Sequence, residues 1–169
     1  MIILMAGLPG TGKSTLAKAL AAELSGTILN KDTIRHAIFH PWDIEYSTQQ
    51  DDFCMGIMLQ AAAYIFQKHP NRYIFLDGRT FSCRSQINHV IEFANRLTQP
   101  WRILECTCSD ESARARLEQA SDHPAGNRDF ELYKEVKQRF EPITLPKLVI
   151  NTEMPVEECI ASAMQTLKR

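Results

Sequence analysis

Gly7-Leu8-Pro9-Gly10-Thr11-Gly12-Lys13-Ser14 is the stretch that decides the fold of this chain. It follows the continuous apolar run Ile2-Ile3-Leu4-Met5. Such a run suits a strand buried on both faces, as in a parallel sheet. Beyond it, Lys13 to Leu24 has helical spacing, with Leu16, Ala17, Leu20 and Leu24 on one face, and Gly26 ends the helix. The stretch matches G-x-x-x-x-G-K-[ST] in full, the P-loop or Walker A pattern, and lies between a strand and a helix as that pattern requires. Its glycines permit backbone angles that turn successive N–H groups inward around phosphate oxygens. The helix N-terminus adds its partial positive charge. Gly7 through Gly12 are therefore expected to cradle the phosphates of ATP. Lys13 is placed to bridge the β- and γ-phosphates, Ser14 to offer a hydroxyl to Mg²⁺, and Thr15 to help position the nucleotide.

Outward from this stretch, apolar runs and helical patterns alternate. Thr27-Ile28-Leu29, Tyr73-Ile74-Phe75-Leu76, Trp101 to Thr107 and Leu148-Val149-Ile150 read as further strands. Helices are expected over Lys31 to Phe39 with Pro41 as its stop, Ser47 to Lys68, Ser85 to Leu97, Asp110 to Gln119, Phe130 to Phe140, and Pro155 to Leu167. The helix over Ser47 to Lys68 carries Phe53, Ile57, Leu59, Ala61, Tyr64, Ile65 and Phe66. Ala120 to Arg128 is polar, contains Pro124 and Gly126, and reads as a mobile loop. The alternation predicts an α/β fold with a five-stranded parallel sheet and helices on both faces, in one domain over residues 1–169. Ligands in such folds sit at the carboxyl ends of the strands.

A formal net charge of -1 supplies no global basic field for nucleic acid or an anionic membrane. The apolar start Met1 to Ala6 stops at Gly7 without a basic segment before it, too short to span a bilayer and wrongly flanked for export. Cys54, Cys83, Cys106, Cys108 and Cys159 are odd in number and lack zinc-site spacing, so reduced thiols and a cytoplasmic location are expected. His36, His40, His69, His89 and His123 show no metal-ligand spacing.

The polar residues after each strand carry the rest of the chemistry. After the second strand comes Asn30-Lys31-Asp32-Thr33-Ile34-Arg35. Asp32 can accept the proton of an attacking hydroxyl. Arg35, one helical turn on, can hold an acceptor phosphate or carboxylate, or the transferring group. The plain alternative is that Asp32 caps the following helix and Arg35 is solvated. Asp77 closes the third strand and is a candidate for Mg²⁺ or acceptor contact, against a simple turn role in Asp77-Gly78. Arg79 lies next to it. Trp42 and Tyr46 either line an acceptor pocket or pack against the sheet edge.

The P-loop, the Asp32-x-x-Arg35 pair and the later arginine-bearing helix resemble the P-loop kinases related to polynucleotide 5′-hydroxyl kinases and zeta-toxin-like kinases. The likeness runs from the first strand to the fifth. It implies a nucleoside-monophosphate-kinase-like P-loop NTPase with ATP and Mg²⁺ as cofactors, Asp32 as general base, and an arginine-bearing lid over approximately residues 109–130. In such kinases one lid arginine stacks on adenine and a second, four residues later, reaches the transferring phosphate. Arg116 matches the first, Ala120 stands at the place of the second, and Arg128 is its candidate substitute, with Arg114 on the same helix. The expected activity is transfer of the γ-phosphate to a hydroxyl of a small molecule. Two rivals are a polynucleotide 5′-hydroxyl kinase, less favoured because it needs a basic, aromatic-lined channel, and an ATP-binding switch with weak hydrolysis and no transfer.

Overall fold

A computed structural model of the chain describes residues 1–119 and 129–168. Five strands form one parallel sheet in the order β2-β3-β1-β4-β5: β1 (Ile2–Ala6), β2 (Thr27–Asn30), β3 (Ile74–Asp77), β4 (Trp101–Thr107) and β5 (Leu148–Asn151). The helices between them are α1 (Lys13–Leu24), α2 (Lys31–Ile38), α3 (Thr48–Lys68), α4 (Arg84–Arg96), α5 (Asp110–Gln119), α6 (Phe130–Gln138) and α7 (Val156–Leu167). A 3₁₀ turn, Pro41–Asp43, leads from α2 towards α3.

β1 is buried along its whole length because helices cover both faces of the sheet. Its alternate residues divide between two cores. Ile2, Leu4 and Ala6 pack with Met55, Met58, Leu59 and Ala62 of α3 and Ile87, Val90 and Ala94 of α4. Ile3 and Met5 pack with Leu16, Ala17 and Leu20 of α1 and Cys159, Ala163 and Leu167 of α7. A third, smaller cluster joins Ala113 and Leu117 of α5 to Tyr133 of α6, with Leu8 of the glycine-rich loop against it. Among the described residues no helix is long and apolar enough to cross a membrane.

Three expectations need correction. The left-handed residue that ends α1 is Ser25 (φ 48°), not Gly26. Gly26 is required for a different reason: a Cβ there would lie 2.8 Å from Cε2 of Phe75. On α3 the inward face is set by Cys54, Met55, Met58, Leu59, Ala62 and Phe66, whereas Phe53 and Tyr64 are exposed. Strands β2 and β5 each run one polar residue further than expected, to Asn30 and Asn151, whereas β3 ends at Asp77 as read. The loop expected over 120–128 lies outside the described residues, and with it part of the lid and Arg128.

Candidate active site

The glycine-rich loop leaves β1 at Ala6 and opens α1. Gly7 has φ 128°, and a Cβ on it would lie 2.3 Å from the carbonyl oxygen of Cys106 in β4, so both conformation and space demand glycine. Gly12 takes the N-cap position of α1 and offers no side-chain cap, which leaves the first-turn N–H groups open to an anion. Thr11 Oγ1 donates to Leu8 O at 2.8 Å and braces the loop from within. Lys13 is buried. Its Nζ folds back to donate to Gly7 O at 2.9 Å and Leu8 O at 2.6 Å.

A cleft of about 370 Å³ opens at the carboxyl ends of the strands. Pro9, Gly10, Gly12, Lys13, Ser14 and Thr15 line it from the loop side, and Asp32, Arg35, Asp77, Arg79 and Arg116 line it from elsewhere. Gly7, Leu8 and Thr11 do not line it; they form the back of the loop. Arg114 also stays away: its guanidinium lies 4.2 Å from the ring centroid of Phe130.

The capping question at α2 has a clear answer. Asn30, not Asp32, caps the helix, accepting from the backbone N–H groups of Asp32 and Thr33. Asp32 is thereby released to face a cluster of charges. Arg35 Nη1 donates to Asp32 Oδ1 at 2.8 Å, and Lys31 Nζ lies 3.4 Å from the same oxygen. Among the described residues Asp32 Oδ2 accepts no hydrogen bond. Arg35 is not solvated either: it is 1% exposed and its Nη2 also donates to Asp51 of α3. Asp51 in turn accepts from Lys31 at 2.7 Å. The ring of Tyr46 sits 5.1 Å from the Arg35 guanidinium, on a left-handed backbone (φ 52°) that costs about 1–3 kcal/mol for a non-glycine residue. Tyr46 thus lines the cleft, while Trp42 is 82% exposed, lies tilted against His40 and takes neither of the roles considered for it.

On the next strand, Asp77 is buried and accepts from Asn30 Nδ2 at 2.8 Å through Oδ2. Its Oδ1 is buried with no partner. An orphaned buried carboxylate oxygen is costly unless a ligand completes it. Ser14 and Asp77 thus fit a hard divalent cation by donor type. Among the described residues no group of three or more His, Cys, Asp or Glu side chains could hold a metal alone. That suits Mg²⁺, which typically takes one or two protein oxygens plus substrate phosphates. Arg79 pairs with Asp52 at 2.7 Å and leaves its Nε without a partner, as does Arg35. Arg116 reaches across from α5 to Thr152, with Nη1 to Oγ1 at 2.9 Å and Nη2 to the carbonyl at 2.8 Å. Thr152 Oγ1 itself donates to Thr11 O at 3.0 Å, so the loop after β5 ties Arg116 to the phosphate loop.

All five cysteines are free thiols. Burial pushes the Cys106 thiol, directly behind Gly7, up to about 12. It stays protonated at neutral pH and acts as packing.

Sequence reasoning missed Asn30, Lys31, Asp51, Arg139 and Thr152. Asn30 had a local signal, an Asn preceding an acid in a new helix. Asp51, Arg139 and Thr152 had none, because folding alone brings Asp51 and Arg139 to the cleft and Thr152 to Arg116 and Thr11.

Comparison with curated proteins by sequence finds no match. Solved structures with the same fold include Kti12 of Chaetomium thermophilum in complex with ADP-AlF3, with a TM-score of 0.76 and 15% identity over 99% of this chain and 97% of that one. The APS kinase CysC of Mycobacterium tuberculosis, in complex with AMPPNP and APS, has a TM-score of 0.72 and 13% identity over 99% and 97% of the two chains. Shikimate kinase of Bacteroides thetaiotaomicron has a TM-score of 0.68 and 20% identity over 100% and 99%. At these identities the likeness establishes the fold alone, a five-stranded parallel α/β sheet with helices on both faces. A family model described as AAA domain matches residues 2–143, from β1 to beyond α6, and on that match the chain belongs to the AAA domain family.

Proposed function

We propose that this protein is an ATP-dependent kinase that transfers the γ-phosphate to a hydroxyl of a small-molecule acceptor. The observation that carries the proposal is the convergence of the phosphate loop and the Asp32–Arg35 pair on one cleft. A loop that merely held a nucleotide would need no buried carboxylate beside it, paired to Arg35 and facing the same cleft. The kinship suggested by Asp32-x-x-Arg35, to polynucleotide 5′-hydroxyl kinases and zeta-toxin-like kinases, belongs to the same proposal. A small molecule is preferred over a polynucleotide because the cleft presents a single aromatic ring, Tyr46, among the described residues, and Trp42 lies outside it.

The roles follow from position. The backbone of Gly7 to Gly12 and the open first turn of α1 hold the phosphates. Lys13 exchanges the carbonyls of Gly7 and Leu8 for phosphate oxygens, and Thr15 supports the nucleotide. Asp32 Oδ2 takes the proton of the acceptor hydroxyl as its oxygen bonds to the γ-phosphorus and the bond to the leaving ADP breaks. Arg35 fixes Asp32, and Arg35 and Arg79 face a phosphate or carboxylate of the acceptor. Arg116 serves the adenine, and Arg128, outside the described residues, is proposed for the transferring phosphate. Ser14 and Asp77 hold Mg²⁺, which when bound neutralises the phosphate oxygens.

Calorimetric titration with Mg²⁺ and a nonhydrolysable ATP analogue tests the proposal. Lys13→Ala should abolish measurable binding while retaining a cooperative melting transition. Unchanged affinity in the folded variant removes the nucleotide-binding claim, and the kinase with it.

A further inference from the structure

The side chain of Asn30 is used twice. Its Oδ1 accepts the backbone N–H groups of Asp32 and Thr33, each at 3.0 Å, and so caps α2. Its Nδ2 donates to Asp77 Oδ2 at 2.8 Å. The orientation of the amide is fixed by chemistry, since two backbone donors can be met only by its oxygen. Sheet register makes the contact inevitable, because Asn30 is paired with Asp77 on the adjacent strand. The residue after Asp77 closes the joint. Gly78 has φ 84°, and a Cβ on it would lie 2.9 Å from Lys31 N, 3.1 Å from Asn30 Oδ1 and 3.2 Å from Asp32 N. The Asp77-Gly78 turn is therefore packed flush against the first turn of α2.

We infer that Asn30 is a positioning residue that aims the Asp77 carboxylate at a divalent cation, using the same amide that fixes the helix carrying Asp32 and Arg35. The inference rests on the nucleotide-binding reading above. A carboxylate turns easily about its last torsion, which is broad and roughly two-fold. The hydrogen bond from Asn30 holds Oδ2, and Oδ1 is then the oxygen left buried and unpartnered. No other side chain of this size performs both tasks. Serine offers one short oxygen, and aspartate would set a carboxylate against a carboxylate. The two carboxylates of the site, one beside the acceptor and one beside the metal, are thereby held in register by a single amide.

Asn30→Ser separates the tasks, because serine caps a helix about as well as asparagine but cannot also reach Asp77. Affinity for a nonhydrolysable ATP analogue is measured by calorimetry across a Mg²⁺ series, with thermal melting alongside, for wild type, Asn30→Ser and Asp77→Asn. Asn30→Ser should melt near wild type and bind the Mg²⁺-free analogue normally. It should need roughly 10-fold or more Mg²⁺ for the same gain in affinity, the range seen when the partner of a metal-binding group is removed. Asp77→Asn should show the same shift. Asn30→Gly, which sacrifices little capping, serves if the serine variant does not fold. Asn30→Ser with a wild-type Mg²⁺ requirement, in a protein that binds the analogue, overturns this inference alone and leaves Asn30 a helix cap. An unshifted Asp77→Asn overturns the inference together with the Mg²⁺ role proposed for Asp77. A wild-type protein that binds no analogue at any Mg²⁺ concentration overturns both the inference and the reading beneath it.

Discussion

Among the described residues the carboxylate of Asp32 is tied by one oxygen only, and its helix is capped by a different residue. These facts sharpen what Asp32→Asn should do. The cap is untouched, so α2 stays formed. Arg35 loses a charge-assisted bond but keeps Asp51, and the loss is about 1–3 kcal/mol of stability, seen as a lower melting temperature. Affinity for Mg-ATP should stay near wild type, because the partner of Asp32 is the acceptor. Transfer should fall by roughly 10²–10⁴-fold, the usual worth of a positioned base. Steady-state kinetics with the acceptor, beside calorimetry and melting, check the three outcomes; transfer at the wild-type rate would leave Asp32 an ion-pair residue only. Lys13, Ser14, Asp32 and Arg35 were legible in the sequence because local chemistry marks them: a complete motif and an acid one turn from a base. Asp51 was not, since nothing near it in sequence announces that it will accept from both Lys31 and Arg35.

The strands were legible as elements because burial on both faces demands unbroken apolar runs. The ends of β3 and β4 were legible too, at Asp77 and Thr107, but those of β2 and β5 were not. Asn30, Asp77 and Asn151 continue the ladder as polar residues, in register as Asn30 with Asp77 and Asn151 with Thr107. Apolar counting stops one residue early at the edge that faces the cleft, where the sheet must offer polar groups. The junction of α5 and α6 was equally hidden. Tyr133 donates to Asp110 at 2.7 Å and Lys137 donates to the same carboxylate at 2.6 Å. Hydrogen bonds from Lys137, then from Tyr133, hold the Asp110 carboxyl below its usual range. A depressed folded-state value means stability that is present above the ordinary carboxylate range and lost as the pH falls through the folded-state value. Asp110→Asn should therefore lower stability at neutral pH by about 1 kcal/mol or less, since the pair is largely exposed. Melting curves of variant and wild type should converge under acid conditions; a gap that persists there would mean that charge is not what joins the two helices.

At the scale of the whole molecule, composition and alternation specify a parallel sheet between two helical layers, but not its order. The chain adds β2 and β3 on one side of β1 and β4 and β5 on the other, which sets the phosphate loop at the centre of the sheet. That placement brings residues from the glycine-rich loop after β1 through to α6 to one cleft. It also explains why Arg116 and Thr152, 36 residues apart, meet over the phosphate loop. A cleft so assembled sets the glycine-rich loop beside the Asp32–Arg35 pair, the juxtaposition that the proposed direct transfer requires. The most direct test of that claim follows the phosphoryl group itself. The protein is incubated with Mg²⁺, a metabolite pool and ATP carrying heavy oxygen in its γ-phosphate, and the products are weighed by mass spectrometry. The account predicts a metabolite bearing the labelled phosphoryl group with wild-type protein, none with Lys13→Ala, and at most about 1% as much with Asp32→Asn. Label recovered only as inorganic phosphate, or a labelled metabolite formed equally by Asp32→Asn, would contradict it.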